Sequence, residues 1–318
     1  MRHRGPSKTS TTDMTSPATT GPGQPSNRAV ARRTTAITAA LVALAATGVA
    51  AGIGTSFAAP SGSTGHFGPG SITAVGSAVS PTGRVMIGTS VGGTMSATQS
   101  RFPNMKVVRF FYPGAPSTWG GSIASTPAGQ VIFVSFNYAV TATASGASDA
   151  AFTTVLRSWA ATGRQIYWTW QHEADDPGKH ISQASYRAGW AHLLADAAAV
   201  KAPNLHSMSI LMGIALTGVH GSVEGWYVPG VSVLGFDCYY LKTELLAEQY
   251  AAVKAKPLAF PEFGDAIGGS PDAVSAQFAR QFIAALNTNT IGASWFNNNG
   301  NNLASHPQTL AVLKSAAG

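Results

Sequence analysis

Acidic side chains are scarce in this sequence: Asp and Glu together number 13 in 318 residues. Two glutamates nevertheless close comparable apolar runs, Glu173 in WQHEADD (170–176) and Glu262 in AFPEFGD (259–265). Two carboxyl groups facing one sugar ring are what glycosidic cleavage needs. One donates a proton to the leaving oxygen, and the other attacks the anomeric carbon or activates water. Residue type alone leaves open that each is an ordinary loop acid. Other polar residues end similar runs. Arg109, alone in VVRFF, could orient a carboxylate through a charge-assisted bond or form a structural ion pair. His172 could bond a carboxylate or a sugar hydroxyl, or simply pack. Asp237 could act as an acceptor behind the site or as a cap. Tyr239 and Tyr240 are hydroxyl donors, one of which is expected in the core. Trp119, Trp168, Trp170, Trp226 and Trp295 offer flat faces that complement the apolar face of a pyranose. Trp168 and Trp170 share strand parity, and packing is the alternative for one or both. The asparagines at 297–299, 301 and 302 form a loop that could bind hydroxyls or be a surface turn.

These residues need elements to position them. Eight short apolar runs recur along the chain, at 85–88, 106–111, 131–136, 165–170, 206–213, 231–237, 257–263 and 291–296. They are apolar on both faces, as buried parallel strands are. Between them lie helical patterns. Phe152, Val155, Leu156 and Trp159 recur at three-and-four spacing over 149–161, as do Trp190, Leu193 and Leu194 over 186–200. A third pattern covers 272–286 and a last helix 308–316. Strand–helix alternation predicts a parallel α/β fold, and eight units predict a (β/α)8 barrel from about Arg84 to Ala316. An open doubly wound sheet is the rival. It would offer a phosphate loop, but GTSVGGT (88–94) lacks the G-x-G-x-x-G spacing and the P-loop lysine. Reactive groups of a barrel gather at the C-terminal strand ends. Strands four and seven stand on opposing sides, so Glu173 and Glu262 can flank one cleft.

Bulk properties narrow the setting. Six of the 20 Lys and Arg lie before Pro60, against one of the 13 acids, so beyond Ala59 the formal charge falls from +7 to +2. That leaves no basic stripe for nucleic acid. Residues 1–59 run from a basic region with Arg32-Arg33 through an apolar stretch (36–51) to Ala58-Ala59-Pro60. This is the order of a cleaved export signal with a twin-arginine look, so a secreted, extracellular protein is expected. The apolar stretch is short for a membrane span. Residues 60–82, rich in Gly, Ser, Pro and Thr, read as a linker or arm, and 83–318 as one catalytic domain. The single cysteine, Cys238, excludes an intrachain disulfide, and no zinc-like spacing is present. No cofactor or metal is expected, and the chain is expected to be a monomer.

The chain resembles glycoside hydrolase family 26, within the superfamily of retaining (β/α)8 hydrolases. QHEADD (171–176) looks like the family's His-Glu after strand four, and FPEFG (260–264) like its nucleophile motif on strand seven. WYVPG (226–230) and GFDCYY (235–240) look like the segments around strand six, and Trp295 stands where such barrels place a sugar-platform tryptophan. The resemblance implies Glu173 as general acid/base, Glu262 as nucleophile and a tyrosine, Tyr239 or Tyr240, as donor to it. It implies an endo-acting β-glycan hydrolase, β-1,4-mannan heading the substrates and β-1,3-xylan or a β-glucan following. A non-catalytic carbohydrate-binding barrel and a phosphate-substrate enzyme on the same fold are the alternatives from other classes.

Overall fold

The computed structural model describes residues 85–265, 270–298 and 301–318. The expected leader and linker, 1–82, lie outside them. Eight strands form a closed, all-parallel barrel in chain order: β1 (Met86–Ser90), β2 (Val107–Tyr112), β3 (Val131–Phe136), β4 (Ile166–Trp170), β5 (Leu205–Met212), β6 (Val233–Asp237), β7 (Leu258–Phe263) and β8 (Thr290–Trp295). The ring shuts where β1 pairs with β8, Met86 opposite Gly292. The fold is therefore the expected (β/α)8 barrel, and each strand lies within two residues of an apolar run read from the sequence.

Eight helices are described: α1 (Met95–Arg101), α2 (Gly121–Ala124), α3 (Val140–Ala144), α4 (Asp149–Ala160), α5 (Gln183–Val200), α6 (Thr243–Val253), α7 (Asp272–Ala285) and α8 (Pro307–Ala316). The sequence reading covers α4, α5, α7 and α8, and lacks the short α1, α2 and α3 as well as the longer α6. For α6 the reason is its buried stripe, which includes Ala247 and Ala251. Alanine buries well but gives little contrast to a periodicity search.

Strand alternation sorts side chains into two layers. Inside the barrel pack Met86, Val107, Val131, Phe133, Tyr167, Met208, Ile210, Val233, Ala259 and Ile291. The opposite faces build the layer between barrel and helices, where Phe136, Phe152, Trp168 and Trp190 meet. There Trp168 stacks on Trp190 at 5.4 Å and Trp170 on Tyr186 at 5.8 Å. Gly189 permits this approach of α5, since a Cβ on it would stand 2.3 Å from the Trp170 ring.

Candidate active site

Glu262 owes its position to an irregularity. Leu258 and Phe260 face the helix layer, and simple alternation would send Glu262 the same way. Against β8, however, Phe260 pairs with Ala293 and Phe263 with Trp295, so β7 spends one extra residue between these pairs. This bulge restores Phe263 to the outer layer and turns Glu262 inward. Pro261, which cannot donate to a ladder, sits within it. The buried Glu262 carboxyl accepts from Arg109 Nη2 at 3.4 Å on Oε1 and from the Tyr239 hydroxyl at 2.5 Å on Oε2. Donors on both oxygens suit the carboxylate form.

Glu173 sits on the turn that leaves β4. Gln171 and Glu173 both adopt left-handed backbone, at φ 51° and 52°, a conformation that costs a non-glycine residue about 1 kcal/mol or more. Neighbouring elements hold it. The Gln171 amide donates to Phe136 O of β3, and the Glu173 amide to Ile210 O of β5. The buried Asp175 carboxylate accepts the Met212 amide at 3.1 and 3.3 Å, and Lys179 Nζ donates to the His172 carbonyl. Burial and then the negative charge of Glu262 push the Glu173 carboxyl up to about 8, with Lys179 opposing.

The remaining groups lie around the two carboxyls. Arg109, on the inner face of β2, is fully buried. Phe111, two residues on, lays its ring 4.6 Å from the guanidinium. Its edge meets His172 at 5.7 Å and Phe296 at 6.4 Å, and Phe296 in turn meets Tyr239. Burial, Arg109 and Lys179 hold His172 well below the usual histidine range, so it is neutral. Asp237, at the end of β6, is buried with no protein partner on either oxygen. Burial and the Glu262 charge hold it well above the usual carboxylate range. The Tyr239 hydroxyl is pushed far up by burial and by Glu262, and keeps its proton. Among the described residues, no group of three or more His, Cys, Asp or Glu could hold a metal ion. No described helix is long and apolar enough to cross a membrane.

The structure thus brings Glu173, Glu262, Arg109, His172, Tyr239 and Asp237 together. The aromatic expectations need correction. Trp170 and Trp295 are fully buried on the outer face of the barrel. Trp170 donates to Tyr138 O, and Trp295 donates to Asn301 O while meeting Phe263 edge-on. Trp226 is buried against Tyr186. Trp170 and Trp295 point away from the barrel interior because odd and even positions of a strand belong to different layers, and Trp226, in the turn Val223–Trp226 rather than a strand, is buried by packing on Tyr186. Trp168 packs as Trp170 does, and the partly buried Trp119 lies under Arg164. Of the tyrosine pair, Tyr239 is the one that reaches Glu262. Tyr240 is partly buried and its carbonyl accepts from Thr243 at the start of α6, so neither is a core residue. Asn297 is structural: its amide side chain ties the Leu303 amide and lies against Ser90 O. Phe111, Phe296, Asp175 and Lys179 escaped the sequence reading. Phe111 was recoverable, since it shares the parity of Arg109 on β2.

No protein-family model matches the chain, and no curated protein sequence matches it. Solved structures do. The chain superposes on GH26C from a Muricauda species with a TM-score of 0.50 at 10% identity, covering 72% of this chain and 85% of that one. A mutant Thermotoga maritima Cel5A in complex with cellobiose gives 0.50 at 9%, covering 72% and 96%. A double mutant of the Cellulomonas fimi endo-β-1,4-mannanase gives 0.50 at 16%, covering 74% and 70%. At such identities the likeness is one of fold: a closed eight-stranded parallel barrel resembling the (β/α)8 glycoside hydrolases.

Proposed function

We propose that the protein is a retaining glycoside hydrolase that cleaves within β-linked polysaccharides, with β-1,4-mannan the first substrate to test. The observation that carries this reading is the unlike surroundings of two neighbouring carboxyls. Glu262 has a donor on each oxygen, whereas Glu173 is pushed up to about 8. At neutral pH one is then a nucleophile and the other a proton donor, the division of labour a double displacement needs. The fold likeness to glycoside hydrolases supports it, as do the QHEADD and FPEFG segments.

In this mechanism Glu262 attacks the anomeric carbon while Glu173 protonates the departing glycosidic oxygen. The C–O bond breaks and a glycosyl ester forms on Glu262. That ester carries no charge, so the repulsion that kept Glu173 protonated disappears. Glu173, now ionised, takes a proton from water, which attacks the same carbon and releases Glu262. Arg109 and Tyr239 hold the nucleophile. Two inversions give net retention. In the same reading residues 1–59 are a cleaved export leader, 60–82 an arm and 83–318 the catalytic domain of an extracellular monomer that needs no cofactor.

NMR of the first product released from β-mannan, β-1,3-xylan and β-glucans tests the reading. Retention is expected, with activity nearly abolished in Glu262→Ala. Azide should return activity to that variant as an inverted glycosyl azide. An inverted first product from the parent protein would overturn the role of Glu262.

A further inference from the structure

The connection that leaves β5 carries a histidine that the reaction above does not use. From Thr217 to Ser222 every residue but one is exposed. The exception is His220, whose side chain is only 12% exposed. Gly218 and Gly221, both at φ 83°, turn the chain on either side of it through left-handed backbone that suits glycine. Their amides donate to Ala215 O and Gly218 O. His220 Nδ1 stands 3.8 Å from Asp175 Oδ2, and that nitrogen is itself buried with no hydrogen-bond partner. Asp175 is a group that wants such a neighbour. Its side chain is fully buried, and a buried carboxylate is costly unless charge or donors compensate it. Burial raises its pKa, and the Met212 amide, His220 and Lys179 oppose the rise. The Lys179 ammonium, however, is given to the His172 carbonyl. Among the described residues, His220 is the only basic side chain within ion-pair distance of Asp175.

We propose that His220 is a positioning residue for Glu173 and acts through Asp175. The turn that carries Glu173 is tied to the end of β5 at two points. The Glu173 amide donates to Ile210 O, and two residues further on the Asp175 carboxylate accepts the Met212 amide. His220 supports the second tie. Protonated, it gives the buried carboxylate a counter-charge; neutral, its ring can still offer an N–H. Without it Asp175 relieves its burial by taking a proton or by moving toward water. Either weakens the hold on Met212, and the left-handed turn that aims Glu173 loses one of its two anchors. Asp175→Asn keeps an acceptor oxygen but removes the charge that needs compensation, so it should make the turn indifferent to His220. That Glu173 delivers a proton rests on the proposed hydrolase reading. The hold on its turn does not.

His220→Leu keeps most of the volume and removes both the charge and the donor. Aryl β-glycosides then separate a fault in Glu173 from general damage, since kcat/KM reports the first bond cleavage. Cresyl glycosides have a poor leaving group and need the proton of Glu173, whereas dinitrophenyl glycosides do not. His220→Leu should lower kcat/KM about tenfold for the cresyl series, a small part of the ~10²–10⁴-fold that a positioned acid contributes, and less than about twofold for the dinitrophenyl series. Adding Asp175→Asn to His220→Leu should restore most of the loss. No loss, an equal loss in both series, or a loss that Asp175→Asn does not repair would overturn the role. If the parent cleaves neither series, the hydrolase reading fails separately, and amide hydrogen exchange decides the inference. In His220→Leu the Glu173 amide should exchange about tenfold faster, while the Ile132 amide, bonded to Gln165 O at the other end of the barrel, stays as in the parent. Asp175→Asn should again remove the difference. A Glu173 amide that exchanges alike in parent and variant, or faster whether or not Asp175→Asn is present, refutes it. Should His220→Leu not fold, His220→Asn takes its place in both measurements.

Discussion

Replacing Glu262 by Gln should lower the pKa of Glu173 without returning it to the ordinary value. In the intact site Glu173 stands at about 8 against an ordinary 4.5. At 1.36 kcal/mol per pH unit this disfavours its carboxylate by about 5 kcal/mol. Burial is the larger cause and the Glu262 charge the next. The amide of Gln keeps the volume, and so the burial, but removes the charge. At the ~5 Å separation that a retaining pair would have, two unit charges at an effective dielectric near 20 repel by roughly 3 kcal/mol, or roughly 2 pH units. Glu173 should therefore titrate near pH 6 in Glu262→Gln. Carbon-13 NMR of protein labelled at the glutamate carboxyls reads this directly, with Glu173→Gln assigning the resonance. A midpoint still near 8 would show that the two carboxyls do not interact. A midpoint near 4.5 would show that burial contributes nothing. Either result refutes the electrostatic reasoning. The same displacement has a consequence for stability. Between the unfolded value and about 8 the folded protein binds more protons than the unfolded chain at this site, so stability falls as pH rises through that window. Glu173→Gln removes the loss. It should leave stability unchanged at pH 4 and raise it by about 3 kcal/mol at pH 7 and about 5 above pH 9, as urea denaturation at the three pH values would show.

Tyr239→Phe deletes the hydroxyl that donates to Glu262 Oε2. A bond to a charged group is worth about 1.5–3 kcal/mol, so kcat should fall roughly 10- to 100-fold with an unchanged circular dichroism spectrum. Asp175→Ala leaves the Met212 amide unpaired and frees the turn that carries Glu173. It should cost about 1–3 kcal/mol of stability in urea titrations and lower kcat more than it raises KM, whereas Asp175→Asn, which keeps an acceptor oxygen, should retain much of both. Trp170→Ala should destabilise by about 3–5 kcal/mol, since its ring fills the contact between β4 and α5. The KM of the folded fraction should not move, and a large rise in KM would restore a sugar-facing role to this residue.

The barrel is legible in the sequence because its strands are buried on both faces. VIFVSF, for example, is buried at every position and needs no interpretation of alternation. The site is legible only in part, and Glu262 shows why. Its position depends on a bulge that reverses the parity of β7, and a pattern of apolar residues carries no record of such a bulge beyond Pro261. The FPEFG resemblance singles it out where periodicity alone would send it to the helix layer. Trp295 is the converse case. Residue type and place at a strand end suggest a sugar platform, but its pairing with Phe263 puts it on the outer face. The next residue, Phe296, meets Phe111 and Tyr239 instead. The aromatic cluster beside the carboxyls is thus made of phenylalanines and a tyrosine, whereas the tryptophans of β4 pack on α5 and that of β8 on Phe263. Chemistry-bearing residue types can be read from a strand end, but which of two adjacent side chains enters the cleft is set by the register of the neighbouring strand. In this fold that register is irregular at β7 and β8, beside the carboxyl to which the reaction is assigned.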